Sequence, residues 1–208
     1  MTKPERLTAL YSQLAVDAPT LPLAETANDI VPGEGSVNAQ ILFIGEAPGF
    51  HESVEHRPFV GRSGQLFRKT LTESGIPETD VYISNIVKAR PPENRDPVPA
   101  EIAAYKPYLN QEIEIIQPAL VVTLGRLSMG KFLLEVKISQ VHGRLHKIVW
   151  QERALYVLPM YHPAAALRAT NVKEAFIADF KKLPKLLQWI EQQQETAALT
   201  QDLKEALL

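Results

Sequence analysis

Four short stretches bring together residue types that could bind a ring and break a bond to it: Gly45-Glu46-Ala47-Pro48-Gly49, Arg57-Pro58-Phe59-Val60-Gly61, Ser84-Asn85-Ile86-Val87-Lys88 and Tyr161-His162-Pro163. A Gly-Pro turn exposes backbone groups, and Phe59 offers a stacking face. Asn85 carries a donor and an acceptor on one amide, while His162 offers a donor to developing negative charge. Each also has an ordinary reading. Pro-Gly turns are common, a Phe is more often core, an Asn after a strand often caps a turn, and a lone His is often structural.

The elements that must position these residues follow from the apolar pattern. Residues 39–44 form a nearly continuous apolar run ending in the first turn, as expected for a strand covered on both faces of a parallel sheet. Residues 81–86, 119–124 and 155–160 read the same way. Helical patterns lie between and after them, at Gly64–Ser74, Ala100–Gln117, Gly125–Leu134 and Val172–Gln194. Alternating strands and helices predict a three-layer α/β/α sandwich around a mostly parallel four-stranded sheet with right-handed crossovers. Residues 137–150 could add a hairpin or edge strand around Gly143. Ligands bind such sheets beyond the carboxyl ends of the strands, and all four stretches, with Gly125-Arg126, fall on that one rim.

At the chain ends, Leu7, Leu10, Tyr11 and Leu14 share a helical face within residues 1–17, and Pro and Gly residues make 18–38 mostly loop with one helical turn around Ala24. The tail from Glu195 reads as a frayed helix with Leu199, Leu203, Ala206 and Leu207 on one face. The expected organisation is one domain over residues 1–190 and an acidic C-terminal tail over 191–208.

The 208 residues are 45% hydrophobic and 22% charged, a globular composition, and no apolar run approaches the roughly 20 residues a membrane helix needs. Met1-Thr2-Lys3-Pro4-Glu5-Arg6 has no secretory pattern, so a cytoplasmic, nucleoid-associated protein is expected. The net charge of −2 hides an uneven distribution: 19 Lys and Arg against 14 Asp and Glu between residues 51 and 185, and 3 against 10 outside. A basic centre with acidic ends is compatible with a nucleic-acid partner. The absence of cysteine excludes disulfides, thiolate metal sites, iron–sulfur ligation and a Cys nucleophile.

Joined to Phe50-His51-Glu52, Arg62-Ser63-Gly64, the segment Arg90–Pro97 and the segment His162–Arg168, the four stretches form an extended pattern, in order over residues 18–187, that resembles the family 4 uracil-DNA glycosylases. The resemblance implies a three-layer α/β fold and hydrolysis of the N-glycosidic bond of deoxyuridine in single- or double-stranded DNA, as a monomer. Uracil leaves the stack at a cost of a few kcal/mol, and stacking on Phe59 recovers about 1–3 kcal/mol. Asn85 would donate to uracil O4 and accept from N3–H, a pattern that cytosine mispairs. His162 would donate to O2 as the leaving group becomes anionic.

Where some branches of the superfamily carry an Asp, this chain has Ala47, as family 4 also lacks a carboxylate there. That leaves Glu52 to orient water or shape the pocket, Glu46 for structural or uracil-contacting work, and the backbone of Glu46, Ala47 and Pro48 for contacts with the base. Leu167 and Arg168 resemble the family's intercalation loop, an apolar wedge beside a phosphate-binding cation. Lys88, Arg90 and Arg95 are further candidate phosphate contacts.

The chain departs from the family in one respect. Family 4 enzymes typically hold a four-iron, four-sulfur cluster on four cysteines, and the positions aligned with them are Ala18, Leu21, Ala89 and Tyr105. An iron-free, metal-free and cofactor-free glycosylase is expected, with side-chain packing joining the N-terminal loop to the segment after the second strand. No Lys is placed for a Schiff base, so no lyase step is expected. Two alternatives stay open to the sequence alone: a non-catalytic binder of deoxyuridine or another lesion, and a glycosylase acting on hypoxanthine or xanthine.

Overall fold

The structure, a computed structural model, describes residues 1–206, and the side chains of residues 1–200. The chain runs α1 (Lys3–Asp17), β1 (Glu34–Gly35), β2 (Ile41–Gly45), α2 (Phe50–Glu55), α3 (Arg62–Glu73), β3 (Val81–Asn85), α4 (Pro99–Ile116), β4 (Leu120–Leu124), α5 (Arg126–Gly130), α6 (Ile138–Val141), β5 (His146–Trp150), β6 (Arg153–Met160), α7 (Pro163–Ala166), α8 (Thr170–Phe180) and α9 (Leu183–Ala206). The four expected strands form the parallel centre of the sheet, in the order β3-β2-β4-β6. Every residue of β2, β3 and β4 is buried, which explains why their sequences are continuous apolar runs and not alternations.

Within β2 the two faces still separate. Ile41 and Phe43 enter a core with Phe67, Phe176, Phe180, Leu183 and Ile190, from α3, α8 and α9. Leu42 and Ile44 enter another with Leu14, Tyr82, Tyr105, Leu109 and Ile113, largely from α1 and α4. These are the two outer layers of the sandwich.

The sheet has six strands among the described residues, not the four expected. The additions are antiparallel edges: the two-residue β1 beside β3, and β5 beside β6. The predicted hairpin exists, but its turn is at Gln151-Glu152, both with left-handed φ, and not at Gly143. Gln-Glu is an unusual pair for that conformation, so the turn left no signal. Gly143, at φ +65°, serves a close approach instead: a Cβ there would stand 1.9 Å from Asp179 Oδ1.

Two helices were overestimated. α5 stops at Gly130, a poor helix former, and the chain tightens into turns through Phe132. The pattern from Val172 to Gln194 divides into α8 and α9, because Pro184 cannot continue the backbone ladder and biases Leu183 away from a mid-helix position. The segment 18–38 holds two short 3-10 turns, Ala18–Thr20 and Ala27–Asp29, neither centred on Ala24.

α9 continues without a break through residue 191, where the tail was expected to begin. Along it, Ile190 is fully buried and residues 191–200 are exposed. Leu199 is exposed, the side chains of Leu203 and Ala206 and the whole of Leu207 lie outside the described residues. Among the described residues no helix is long and apolar enough to cross a membrane.

Candidate active site

The carboxyl ends of β2, β3, β4 and β6 surround a cavity of about 600 Å³, within the usual range for ligand sites. Glu46, Ala47, Pro48, Glu52, Phe59, Asn85 and His162 all line it, together with Arg126, Asp96 and Arg168. The six residues proposed from sequence to meet the base, and Glu52, proposed to orient water or shape the pocket, thus share one cavity.

The backbone that builds it begins at Gly45. A Cβ at this position would stand 2.3 Å from Asn85 Oδ1 and 2.5 Å from Phe59 Cζ, so only glycine lets the Asn and Phe approach the end of β2. The β2–β3 ladder then extends past both strands, with the Ile86 N–H donating to Gly45 O (3.0 Å) and the Val87 N–H to Glu46 O (3.3 Å). The first turn is thereby fixed against the end of β3.

Phe59 is buried and sits at φ +56°, a left-handed conformation rare for a bulky residue. The strain is held by clamps on both sides. Glu52 accepts from the N–H groups of Val60 (3.0 Å) and Gly61 (2.8 Å) with one oxygen and of Gly49 (3.1 Å) with the other. Arg68 Nε donates to Phe59 O (2.9 Å) and its Nη2 to Pro58 O (2.8 Å). Of the two roles expected for Glu52, this geometry supplies the shaping one: its carboxylate ties the first turn to the Phe59 loop. The Phe59 ring lies 5.0 Å from Phe67 in the core and 5.9 Å from His162 in the cavity, bridging the two.

Asn85 is buried at 4% exposure, yet its amide has no hydrogen-bond partner among the described residues. Neither amide atom is sealed off, so its donor and acceptor face the cavity, open to a ligand.

His162 is the N-cap of α7, where its Nδ1 accepts from the Ala164 N–H (3.2 Å). That bond assigns the proton to Nε2 in the neutral ring. Burial, with help from Arg168, pushes the imidazole pKa down to about 4, against the opposing pull of Glu52 and Asp96. His162 is therefore a neutral donor at physiological pH.

Glu46 is partly buried, and burial raises its carboxyl pKa. One oxygen accepts from the Leu127 N–H (2.8 Å), and the other has no partner among the described residues. Gly125, at φ +107°, makes room for it, since a Cβ there would lie 2.3 Å from Glu46 Oε1.

The candidate DNA contacts divide. Leu167 is 46% exposed immediately after α7, and the exposed side chain of Arg168 has no hydrogen-bond or ion-pair partner among the described residues. Arg95 is engaged bidentately by Glu101 (2.9 and 2.6 Å), and Arg90 bonds Asn94 Oδ1 (2.8 Å) while stacking over Phe50. Lys88 is a correction. It is fully buried, paired with Glu112 Oε2 at 2.5 Å and bonded to Ser84, so it cannot reach a phosphate. Its position in the motif gave its proximity to the site but not its direction: three residues past Asn85, the side chain turns into the α4 layer.

Ala18, Ala89 and Tyr105 are buried in one apolar cluster with Leu21 packed against it, and the Tyr105 hydroxyl donates to Pro22 O (2.7 Å). No thiolate is present, so these residues do not fit an iron–sulfur cluster. Sequence reasoning did not single out Asp96 or Arg126 as functional, although both lay within segments it quoted. They are joined by an ion pair at the cavity mouth.

The family model of the Uracil DNA glycosylase superfamily matches residues 32–184. The chain is 44% identical over 162 residues to a Type-4 uracil-DNA glycosylase of Sulfurisphaera tokodaii, covering 75% of this chain and 74% of that one. It is 40% identical to the Type-4 uracil-DNA glycosylase of Archaeoglobus fulgidus, over 79% of this chain and 85% of that one. With that of Thermotoga maritima it shares 38% identity over 86% of this chain and 93% of the other. The matched span contains every cavity residue described above, and the chain belongs to the uracil DNA glycosylase superfamily.

Proposed function

We propose that this chain is a monofunctional uracil-DNA glycosylase that works without an iron–sulfur cluster, with residues 1–190 as its single catalytic unit. The observation that carries the reading is the pairing of two unsatisfied groups in one cavity: the free amide of Asn85 and the neutral Nε2–H of His162, both beside Phe59. Uracil seated on the Phe59 ring would take the Asn85 Nδ2–H on O4 and give its N3–H to Oδ1. Cytosine carries an amino group at C4 and an unprotonated N3, so both contacts would be mispaired.

As the C1′–N1 bond breaks, its electron pair moves to uracil, and the charge spreads to O2, where the His162 Nε2–H donates to it. A neutral donor suits this task, because the proton stays on the imidazole while the hydrogen bond strengthens. The sugar becomes oxocarbenium-like, and water adds to C1′. Glu46, with one unengaged oxygen and a raised pKa, is the fitting acceptor for the proton that the water gives up. Glu52 acts one step away, by holding the Phe59 loop. Leu167 fills the gap left by the flipped base, and Arg168 holds a phosphate. All these groups come from one chain, in keeping with action as a monomer.

The test is base release from oligonucleotides with one uracil, cytosine, thymine or hypoxanthine at the same position. Free uracil and an abasic site from the uracil strand alone is the expected result. Tight binding without release would identify a lesion binder, and preferential release of hypoxanthine would reassign the substrate.

A further inference from the structure

The ion pair between Asp96 and Arg126 spans the mouth of the cavity. Asp96 lies in the loop that follows β3, and Arg126 opens α5 after β4, while β2 lies between those two strands in the sheet. The pair therefore links the segments that follow the two strands flanking β2, and both charges act on the carboxyl of Glu46, which follows β2. The backbone of Asp96 is itself fixed: Arg95, held by Glu101, donates to Asp96 O (2.9 Å). Its carboxylate is thus presented to Arg126 by an anchored loop.

The side chains of Arg126 and Asp96 are 61% and 62% exposed, so water and salt compete with their attraction. A nucleotide seated in the cavity carries one phosphate on each side. The cavity is lined by three arginines, and among the described residues the Arg95 side chain is committed to Glu101, that of Arg168 has no partner, and that of Arg126 is held only by Asp96. A phosphate accepts bidentate guanidinium bonds as well as a carboxylate does.

Building on the glycosylase reading, we infer that Arg126 is a second phosphate-binding residue, latched by Asp96 in the free protein and transferred to a DNA phosphate when a flipped nucleotide enters. The latch covers the Glu46 side of the cavity until DNA arrives and hides one positive charge from strands that present no flipped base. Arg168 supplies the contact already exposed, and Arg126 the one gained on entry.

The test is the salt dependence of binding to a single-stranded oligonucleotide with one 2′-fluoro-2′-deoxyuridine, whose glycosidic bond resists hydrolysis. Anisotropy between 50 and 200 mM salt would compare wild type with Arg126→Ala, Arg126→Lys and Asp96→Asn. Loss of one phosphate contact should lower the magnitude of the log–log slope by about 0.7 in Arg126→Ala, and Arg126→Lys should restore it. Asp96→Asn should bind several-fold tighter at the wild-type slope, because the competing carboxylate is gone and the contact count is unchanged. An unchanged slope in Arg126→Ala overturns the inference. So does a steeper slope in Asp96→Asn, which would mean that the wild-type pair stays closed on DNA. If wild type releases uracil from an unmodified strand while either result holds, the latch alone fails. If wild type neither binds nor releases, the glycosylase reading fails and the latch with it.

Discussion

The rim of the sheet and the joint between α1, β3 and α4 both bury polar groups, and they treat them in opposite ways. At the joint, Lys88 meets Glu112, Ser84 donates to the same carboxylate oxygen (2.8 Å), and Tyr11 donates to the other. Tyr11 also bonds the Tyr82 hydroxyl (2.8 Å) and accepts from the Gly33 N–H (2.7 Å). Burial pulls the Lys88 pKa down, and the Glu112 carboxylate opposes it. Every member of this network has a partner, and what it ties together is the N-terminal segment and the sheet. At the rim, Asn85, the His162 Nε2–H and one oxygen of Glu46 have none among the described residues. Satisfied polar groups hold a fold, and unsatisfied ones in a cavity wait for a ligand.

The contrast can be broken most severely at the rim. Asn85→Ala and His162→Ala should each slow single-turnover uracil release by about 10²–10⁴-fold, the range expected for losing a positioned donor to the leaving group. At the joint the loss should appear in stability. Glu112→Gln leaves Lys88 buried without a counter-charge and should cost about 3–5 kcal/mol in urea unfolding, while release by the folded fraction persists.

pH separates the regions further. His162 has an ordinary pKa of 6.5 when unfolded and about 4 when folded, so the unfolded chain binds more protons between these values. Its contribution to stability is therefore full above pH 6.5 and falls as pH drops toward 4, by on the order of 1–3 kcal/mol. Subtracting the unfolding profile of His162→Ala from that of wild type should reveal this loss. Smallest is Tyr105→Phe, which removes the hydroxyl bond to Pro22 and should cost about 1 kcal/mol without changing the rate of release.

The same contrast explains what could be read in the sequence. Strands buried on both faces are written as apolar runs, so β2, β3, β4 and β6 were visible, and the rule for open sheets then gathered Glu46, Asn85 and His162 on one rim. Of the edge strands, β1 was hidden because it has two residues, whereas β5 falls within the expected 137–150 and only its turn was misplaced, because it uses Gln151-Glu152. Lys88 was misread because a motif fixes the backbone position of a side chain and not the layer it enters. The shaping work of Glu52 depends on three backbone N–H groups from two loops, which no spacing reveals. Asp96 and Arg126 are 30 residues apart and meet only because β3 and β4 flank β2.

The most direct test of the central claim, that the rim's polar groups are kept unpaired for a ligand, is to measure unfolding free energy and uracil release together in Asn85→Ala and His162→Ala. At pH 7 both variants should remain within about 1 kcal/mol of the wild-type stability while release falls at least a hundredfold. Stability falling by 3 kcal/mol or more in step with release, or release persisting at the wild-type rate, would contradict it.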